Sequence, residues 1–290
     1  MTPSFAPLGD RGILEVAGAD RVAFLQGLVS NDVAKAAAGT PVYAALLTAQ
    51  GKYLHDFFVV ALGDALYLDG ERARLSDLQR RLSLYKLRSK VTLADASARL
   101  SVAAAWGDGA AAKLGLSNGM AKPFAGGLIY ADPRLPALGA RFLIPAGRET
   151  EIAATGFARA DAASYDRHRL ALGVPDGSRD LEIEKSILLE NGFEELNGVD
   201  FAKGCYMGQE LTARTKYRAL IKKRLVPVKV EGPLPPVGTP VTCNGEDVGE
   251  IRSGMDGLAL AMLKLDALGG PLAAGTAKLA PQPPAWMKLG

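Results

Sequence analysis

Cysteine and histidine are almost absent from this sequence, with two of each in 290 residues. Cys205 and Cys243 lie far apart and form no CxxC, and with only His55 and His168 beside them no zinc-binding set can be read. A [4Fe–4S] cluster normally takes four cysteine ligands, so the chain cannot house one alone. Nor does the cysteine pair imply a disulfide, because a chain of this size needs no staple and nothing in it looks secretory. An excess of one charge is also lacking: 34 Lys and Arg against 31 Asp and Glu leave a net charge of +3, not the footprint of a dedicated nucleic-acid binder. No apolar run approaches the ~18 residues of a membrane span. The opening MTPSFAPLGDRGILEV has neither a basic segment followed by an apolar one nor the Arg- and Ser-rich texture of a transit peptide. The expectation is a cytoplasmic protein with no membrane contact, no direct nucleic-acid binding and no metal site of its own.

What is present suffices for a large core. Hydrophobic residues make up 48% and charged residues 22%, which excludes global disorder. Residues 11–17 read as a strand, and Asp20 as the N-cap of a helix that places Val22, Leu25, Leu28 and Val29 on one face before it ends near Ser30-Asn31-Asp32. VYAALLT (42–48) and YLHDFFVV (53–60) flank a four-residue connection containing glycine, which predicts a hairpin. Alternation sets Leu54, Asp56, Phe58 and Val60 on one face and Tyr53, His55, Phe57 and Val59 on the other. Asp56 is then a carboxylate among large apolar neighbours, and it must find a cation such as Arg81 or Arg88, a donor, or a ligand. His55 reads as a hydrogen-bonded packing residue. Residues 71–87 form an amphipathic helix with Leu75, Leu78, Leu82 and Tyr85 on its apolar stripe. Its basic face runs into Lys86, Arg88 and Lys90, and is either solvated or attractive to an anion. Strands alternating with helices over 42–145 argue for an α+β layer of ferredoxin-like type. A helix from Asp161 to Gly173 carries Tyr165, His168 and Arg169, and from Leu225 onward short strands with frequent turns predict a small β-barrel.

The stretch richest in chemistry is KGCYMGQE, Lys203 to Glu210. Gly204 and Gly208 permit backbone angles that other residues resist, and Gln209 opens a helix in which Glu210 can pair with Arg214 while Leu211 begins the apolar side. Cys205 lies two residues from Lys203 and shortly before a helix N-terminus, and both favour thiolate over thiol. A buried cysteine that merely fills space is the competing reading. A loop of this composition has little to pack with, which favours a reactive thiol.

KGCYMGQE, followed by Ala213-Arg214 and Lys222-Lys223-Arg224-Leu225, resembles the signature of the YgfZ family, folate-binding proteins related to the aminomethyltransferase of the glycine cleavage system. GADRVAFLQGLVSNDV resembles the family's opening motif, with Ser30 where threonine is expected. The resemblance implies a multi-domain aminomethyltransferase-like fold and tetrahydrofolate-dependent assembly or repair of iron–sulfur clusters. It further implies that QGKYLHD is the hairpin whose aspartate contacts folate, with Asp56 at the second position of an Asp-Asp pair and His55 replacing the first. The true aminomethyltransferases carry a folate-contacting glutamate where this chain has Ala171, which argues against aminomethyl transfer.

The expectations are an α+β chain with a folate-binding region at 1–160, a helical and loop segment at 161–224 and a barrel at 225–290. Tetrahydrofolate or a one-carbon derivative is the expected cofactor, held by Asp56, Arg169 and Arg224. Cys205 is the reactive thiol, supported by Lys203, Gly204, Tyr206, Gly208, Gln209 and Glu210. Iron–sulfur proteins or the machinery that assembles them are the expected partners. A folate-dependent one-carbon transferase and a cysteine hydrolase using Cys205 with His55 or His168 are the alternatives.

Overall fold

The computed structural model describes residues 3–218 and 221–289, so Ala219 and Leu220, inside the stretch 197–224 singled out above, lie outside the described residues. The chain divides into two compact units that interleave along the sequence. The first takes residues 1–47, 54–165 and 196–207, and the second takes 48–53, 166–195 and 208–290. The segment 161–224 is thus shared between them.

The first unit holds two sheets. One has the strand order Val42–Leu47, Tyr53–Leu62, Ala65–Glu71, Arg11–Ala17, Thr92–Asp95. The helix Leu75–Lys86 lays Leu75, Leu78 and Leu82 on it, against Leu54, Phe57 and Val59. Leu54 therefore belongs to the helix side, not to the Asp56 face that strict alternation predicts. Tyr85, expected on the buried stripe, is 44% exposed. The other sheet runs Ala158–Arg159, Ser4–Pro7, Leu100–Trp106, Ala140–Pro145, Gly127–Ala131, Ala121–Phe124.

Charged side chains join the two sheets. Arg11 and Arg141, one from each sheet, both bond the Asp69 carboxylate, at 2.7 and 2.6 Å, and all three are buried. Burial alone would raise the Asp69 pKa, but the two guanidinium groups overrule it and hold it below the usual range. Arg134 forks onto Asp132 at 3.0 and 2.8 Å. The ring of Phe58 faces all three arginines, with guanidinium carbons 4.0 to 5.7 Å from its centroid.

In the second unit, strands from Lys223–Glu231 to Ala277–Pro281 close into a six-stranded barrel. Its core is small and aliphatic, built from Val226, Val228, Ile251, Ala261, Leu263 and their neighbours. Cys243 ends the strand Pro240–Cys243, half-buried against this core. The α+β architecture with a C-terminal barrel is as expected.

Candidate functional site

The KGCYMGQE loop is built on the first helical turn of the chain. The helix Arg21–Gln26 is short, and its last carbonyls need donors. Lys203 serves the last of them and the chain just beyond: its ammonium donates to the carbonyls of Gln26 at 2.8 Å, Val29 at 2.5 Å and Asn31 at 2.8 Å. It also sits 5.1 Å from the centroid of the Tyr206 ring. Burial pushes the lysine pKa down to about 8, against the opposing pull of Asp32 and Asp200.

Further bonds lace the same two stretches together. Met207 N–H donates to Gly27, the Ser30 hydroxyl to Gly198, and the Asn31 amide to Asn197. Ser30 also accepts from Ala45 N–H. Both roles need only a β-hydroxyl, so serine serves where threonine was expected. The two motifs that carry the family resemblance, joined by bonds that span 166 to 177 positions, thus form one substructure.

Cys205 is exposed at the crest of this loop, between Gly204 at φ +90° and the buried Tyr206. Gly204 has no neighbour that a side chain would strike, so its glycine is called for by the backbone angle alone. The helix begins only at Gln209, with Gly208 at φ +78° as its N-cap. Cys205 stands four residues ahead of Gln209, beyond the first turn to which the helix field is confined. All three Lys203 donors are spent on carbonyls, which makes this lysine the anchor of the loop. Glu210 and Arg214 stay exposed and do not pair; in the same helix Lys216 bonds Glu194 at 2.6 Å.

Within the second unit, the tip of the predicted hairpin rests on that helix. Gly51, at φ +83°, lies so close that a Cβ would come within 2.6 Å of the Gly208 carbonyl oxygen and of Leu211 Cβ. The motif helix and the QGK turn are therefore seated on each other.

Asp56 is buried, and its partner is the hydroxyl of Tyr43, which donates to Oδ2 at 2.8 Å. Arg81, one of the two cations expected there, bonds Asp77 at 2.7 Å. Burial and the neighbouring Asp56 charge push the Tyr43 pKa well up, which keeps its proton on as a donor. A polar cleft of about 510 Å³ in the same unit is lined by Tyr43, Asn31, Lys35, Asp132, Asn197 and Phe201, among others. His55 lies on the opposite face of the strand, bonded to Asp77 at 2.9 Å. Burial, then the charge of Arg74, lowers its pKa to about 4.

The two arginines expected to hold an anionic ligand have carboxylate partners of their own. Arg169 is 3% exposed and bonds Asp166, Asp180, the Val174 carbonyl and the Ser253 hydroxyl. Arg224 is 1% exposed and bonds Glu195 at 2.8 Å and the Leu189 carbonyl at 2.7 Å. These are internal clasps of the second unit. The Arg11, Asp69, Arg134 and Arg141 cluster was missed from sequence. Its one legible signal is a charge inside each of two apolar strands, Asp69 in ALYLDGE and Arg141 in ARFLIP.

Among the described residues no group of three or more His, Cys, Asp and Glu side chains is arranged to hold a metal ion. No helix among them is long and apolar enough to cross a membrane.

The chain has an aminomethyltransferase-like fold and carries an exposed cysteine motif. Its backbone matches the glycine cleavage system aminomethyltransferase T of Bartonella henselae with a TM-score of 0.80, over 99% of this chain and 86% of that one, at 16% identity. Residues 222–289 match the C-terminal beta-barrel domain of CAF17. The human mitochondrial iron–sulfur cluster assembly factor IBA57 is 35% identical over 283 residues, covering 91% of this chain and 78% of the relative. The mouse protein of that name is 32% identical with the same coverage, and the mitochondrial homologue of Mycosarcoma maydis is 37% identical over 78% of this chain and 57% of its own length. The chain belongs to the IBA57 family of iron–sulfur cluster assembly factors. One expectation is overturned here: these relatives are named as mitochondrial, so the cytoplasmic location inferred from residues 1–16 does not stand.

Proposed function

We propose that this chain is an accessory factor in iron–sulfur cluster assembly whose working group is the Cys205 thiol, offered to a partner protein or its cluster from a fixed loop. The observation that carries the reading is the contrast at residues 203–206: Lys203 and Tyr206 are tied down, and the cysteine between them is exposed. A single thiol cannot hold a cluster alone, so the factor acts on clusters whose other ligands come from elsewhere. The relatives' names as cluster assembly factors support this role.

Tetrahydrofolate or a one-carbon derivative is the ligand that the family resemblance implies. The residues fit it in part. Asp56, buried and oriented by Tyr43, suits the carboxylate that faces the reactive end of the pterin. Arg169 and Arg224 do not fit as holders of its anionic tail, because their own carboxylates already neutralise them. When bound, the folate would supply a one-carbon carrier; Asp56 would hold or accept a proton at its carboxylate, and Tyr43 would fix that carboxylate's rotamer.

Two variants separate the thiol from the ligand site. Cys205→Ala in a strain dependent on this gene should abolish the activity of a [4Fe–4S] enzyme while leaving folate binding intact, and normal enzyme activity would sink the thiol role. In anaerobic calorimetry Asp56→Asn should weaken tetrahydrofolate binding by about 10- to 100-fold, the worth of one charge-assisted hydrogen bond. Equal affinity in wild type and variant would remove Asp56 from the ligand site.

A further inference from the structure

Eight large hydrophobic side chains are exposed among the described residues, and three of them, Leu84, Tyr85 and Leu87, fall within four positions at the end of one helix. Leu87 is 88% exposed, and its backbone is unusual. At φ +41° and ψ −111° it occupies the first central position of a tight turn closed by the Ser89 N–H to Lys86 carbonyl bond at 2.8 Å. That position in a turn of this hand belongs to glycine, since a Cβ there is strained. Here the strained residue is a leucine aimed at water. Neither its conformation nor its exposure helps the isolated fold, and such strain persists only where the surroundings impose it.

The surroundings do impose it. Asp20 accepts the Lys90 N–H on Oδ2 at 2.7 Å, and the Asp20 N–H donates back to the Lys90 carbonyl. Gly18 lies against the same carbonyl, where a Cβ would come within 2.1 Å. The turn is thus held in place from its far end. Around Leu87 the sequence alternates: Lys86, Arg88 and Lys90 bracket it, and none of the three has a carboxylate partner among the described residues. A shallow depression between Tyr85 and Leu87 reaches Arg88 and Asp20.

We infer that the Lys86–Lys90 turn is a docking point for a protein partner that presents an acidic segment with an apolar anchor. The unpaired cations receive the acidic residues, and the anchor packs between Tyr85 and Leu87. Asp20, at the edge of the depression, repels acidic groups there, so the acidic residues of the segment belong beside Lys86 and Arg88 and the apolar anchor belongs in the depression. This inference does not depend on the iron–sulfur reading, since the surface and the thiol loop share no residue.

The test is an NMR titration of the isotope-labelled full chain with a short acetylated peptide of glutamates around a central Leu-Phe pair. Shifts should concentrate at residues 84–90 and shrink as salt is raised. Lys86→Glu with Arg88→Glu should weaken binding about tenfold or more. Leu87→Gly should weaken it by about tenfold yet leave the thermal midpoint equal to or above wild type, because the glycine relieves the turn. A merely structural leucine would instead lower the midpoint on removal, and that outcome would overturn the proposal. So would equal binding of an all-glutamate peptide, equal binding by Leu87→Gly, or saturable binding to phosphatidylserine vesicles with none to the peptide.

Discussion

Replacing Lys203 by Met tests whether the lysine is the anchor of the cysteine loop, because methionine keeps most of the stem and removes the ammonium. The loss is three hydrogen bonds from a charged donor, each worth about 1.5–3 kcal/mol, with the carbonyls of Gln26, Val29 and Asn31 left short of a partner. An opposing effect must be subtracted. Lowering the lysine pKa from 10.5 to about 8 reflects hydration lost on burial. That corresponds to up to about 3 kcal/mol, reduced to about 2 because the side chain keeps some solvent. The bonds win: Lys203→Met should destabilise the protein by about 2–3 kcal/mol at pH 7 in urea unfolding. The pH dependence gives a sharper check. Between about 8 and 10.5 the unfolded chain keeps the proton that the folded lysine has released, so wild-type stability gains with rising pH from this group. The variant lacks that gain, and the gap between the two proteins should widen by about 1–2 kcal/mol from pH 8 to pH 10. A variant as stable as wild type at pH 7 would refute the anchor, whereas a gap that narrows over this interval would show that the folded lysine holds its proton more tightly than the unfolded one.

Three further substitutions probe the frame around the loop. Gly51→Ala forces a Cβ to within 2.6 Å of the Gly208 carbonyl at φ +83° and should cost about 2–4 kcal/mol; a change within about 0.5 kcal/mol in urea unfolding would show that the hairpin tip gives way freely. Arg169→Ala leaves the buried Asp180 without its cation, while Asp166 keeps Arg179, and should cost about 3–5 kcal/mol. If it instead weakens tetrahydrofolate binding with stability unchanged, the arginine is a ligand group after all. For His55, the folded pKa of about 4 lies below the ordinary histidine value of 6.5, so the folded chain binds fewer protons between them and stability is lost as pH falls through that window. His55→Gln should flatten the loss by about 3 kcal/mol, measured by urea unfolding at pH 7 and pH 4; an unchanged slope would mean that other groups cause it.

What the sequence made legible was whatever depends on neighbours in the chain. Period-two alternation located the hairpin, turn-punctuated short strands located the barrel, and the glycine-bracketed polar run located the cysteine loop. Period alone misplaced Leu54 and Tyr85, because packing against the helix on one side and the end of that helix on the other override the local pattern. The Asp20 side chain, expected to cap its own helix, instead caps Lys90 N–H, while Asp32 caps the next helix at Ala34. Even Asp56, whose need for a partner was plain, found it in Tyr43, 13 positions back. The arginines show the limit most clearly. A guanidinium reaches several ångströms in any direction, so nothing in the spacing of Arg169 announces Ser253, 84 positions on.

Lys203 joins both kinds of information. From sequence it was a charge two residues from a thiol, and proximity suggested that it acidifies Cys205. In the fold its ammonium is turned to carbonyls at residues 26, 29 and 31, more than 170 positions earlier, and its effect on the cysteine is mechanical. Fixing the loop limits the conformations open to the thiol, so a partner that meets Cys205 loses less entropy on forming the contact than it would with a free loop. Under the proposed thiol role, that is the gain expected from burying a lysine two residues away. The buried charge and the exposed thiol are then parts of one arrangement, in which the bonds that outweigh the desolvation of Lys203 also fix the loop that carries Cys205.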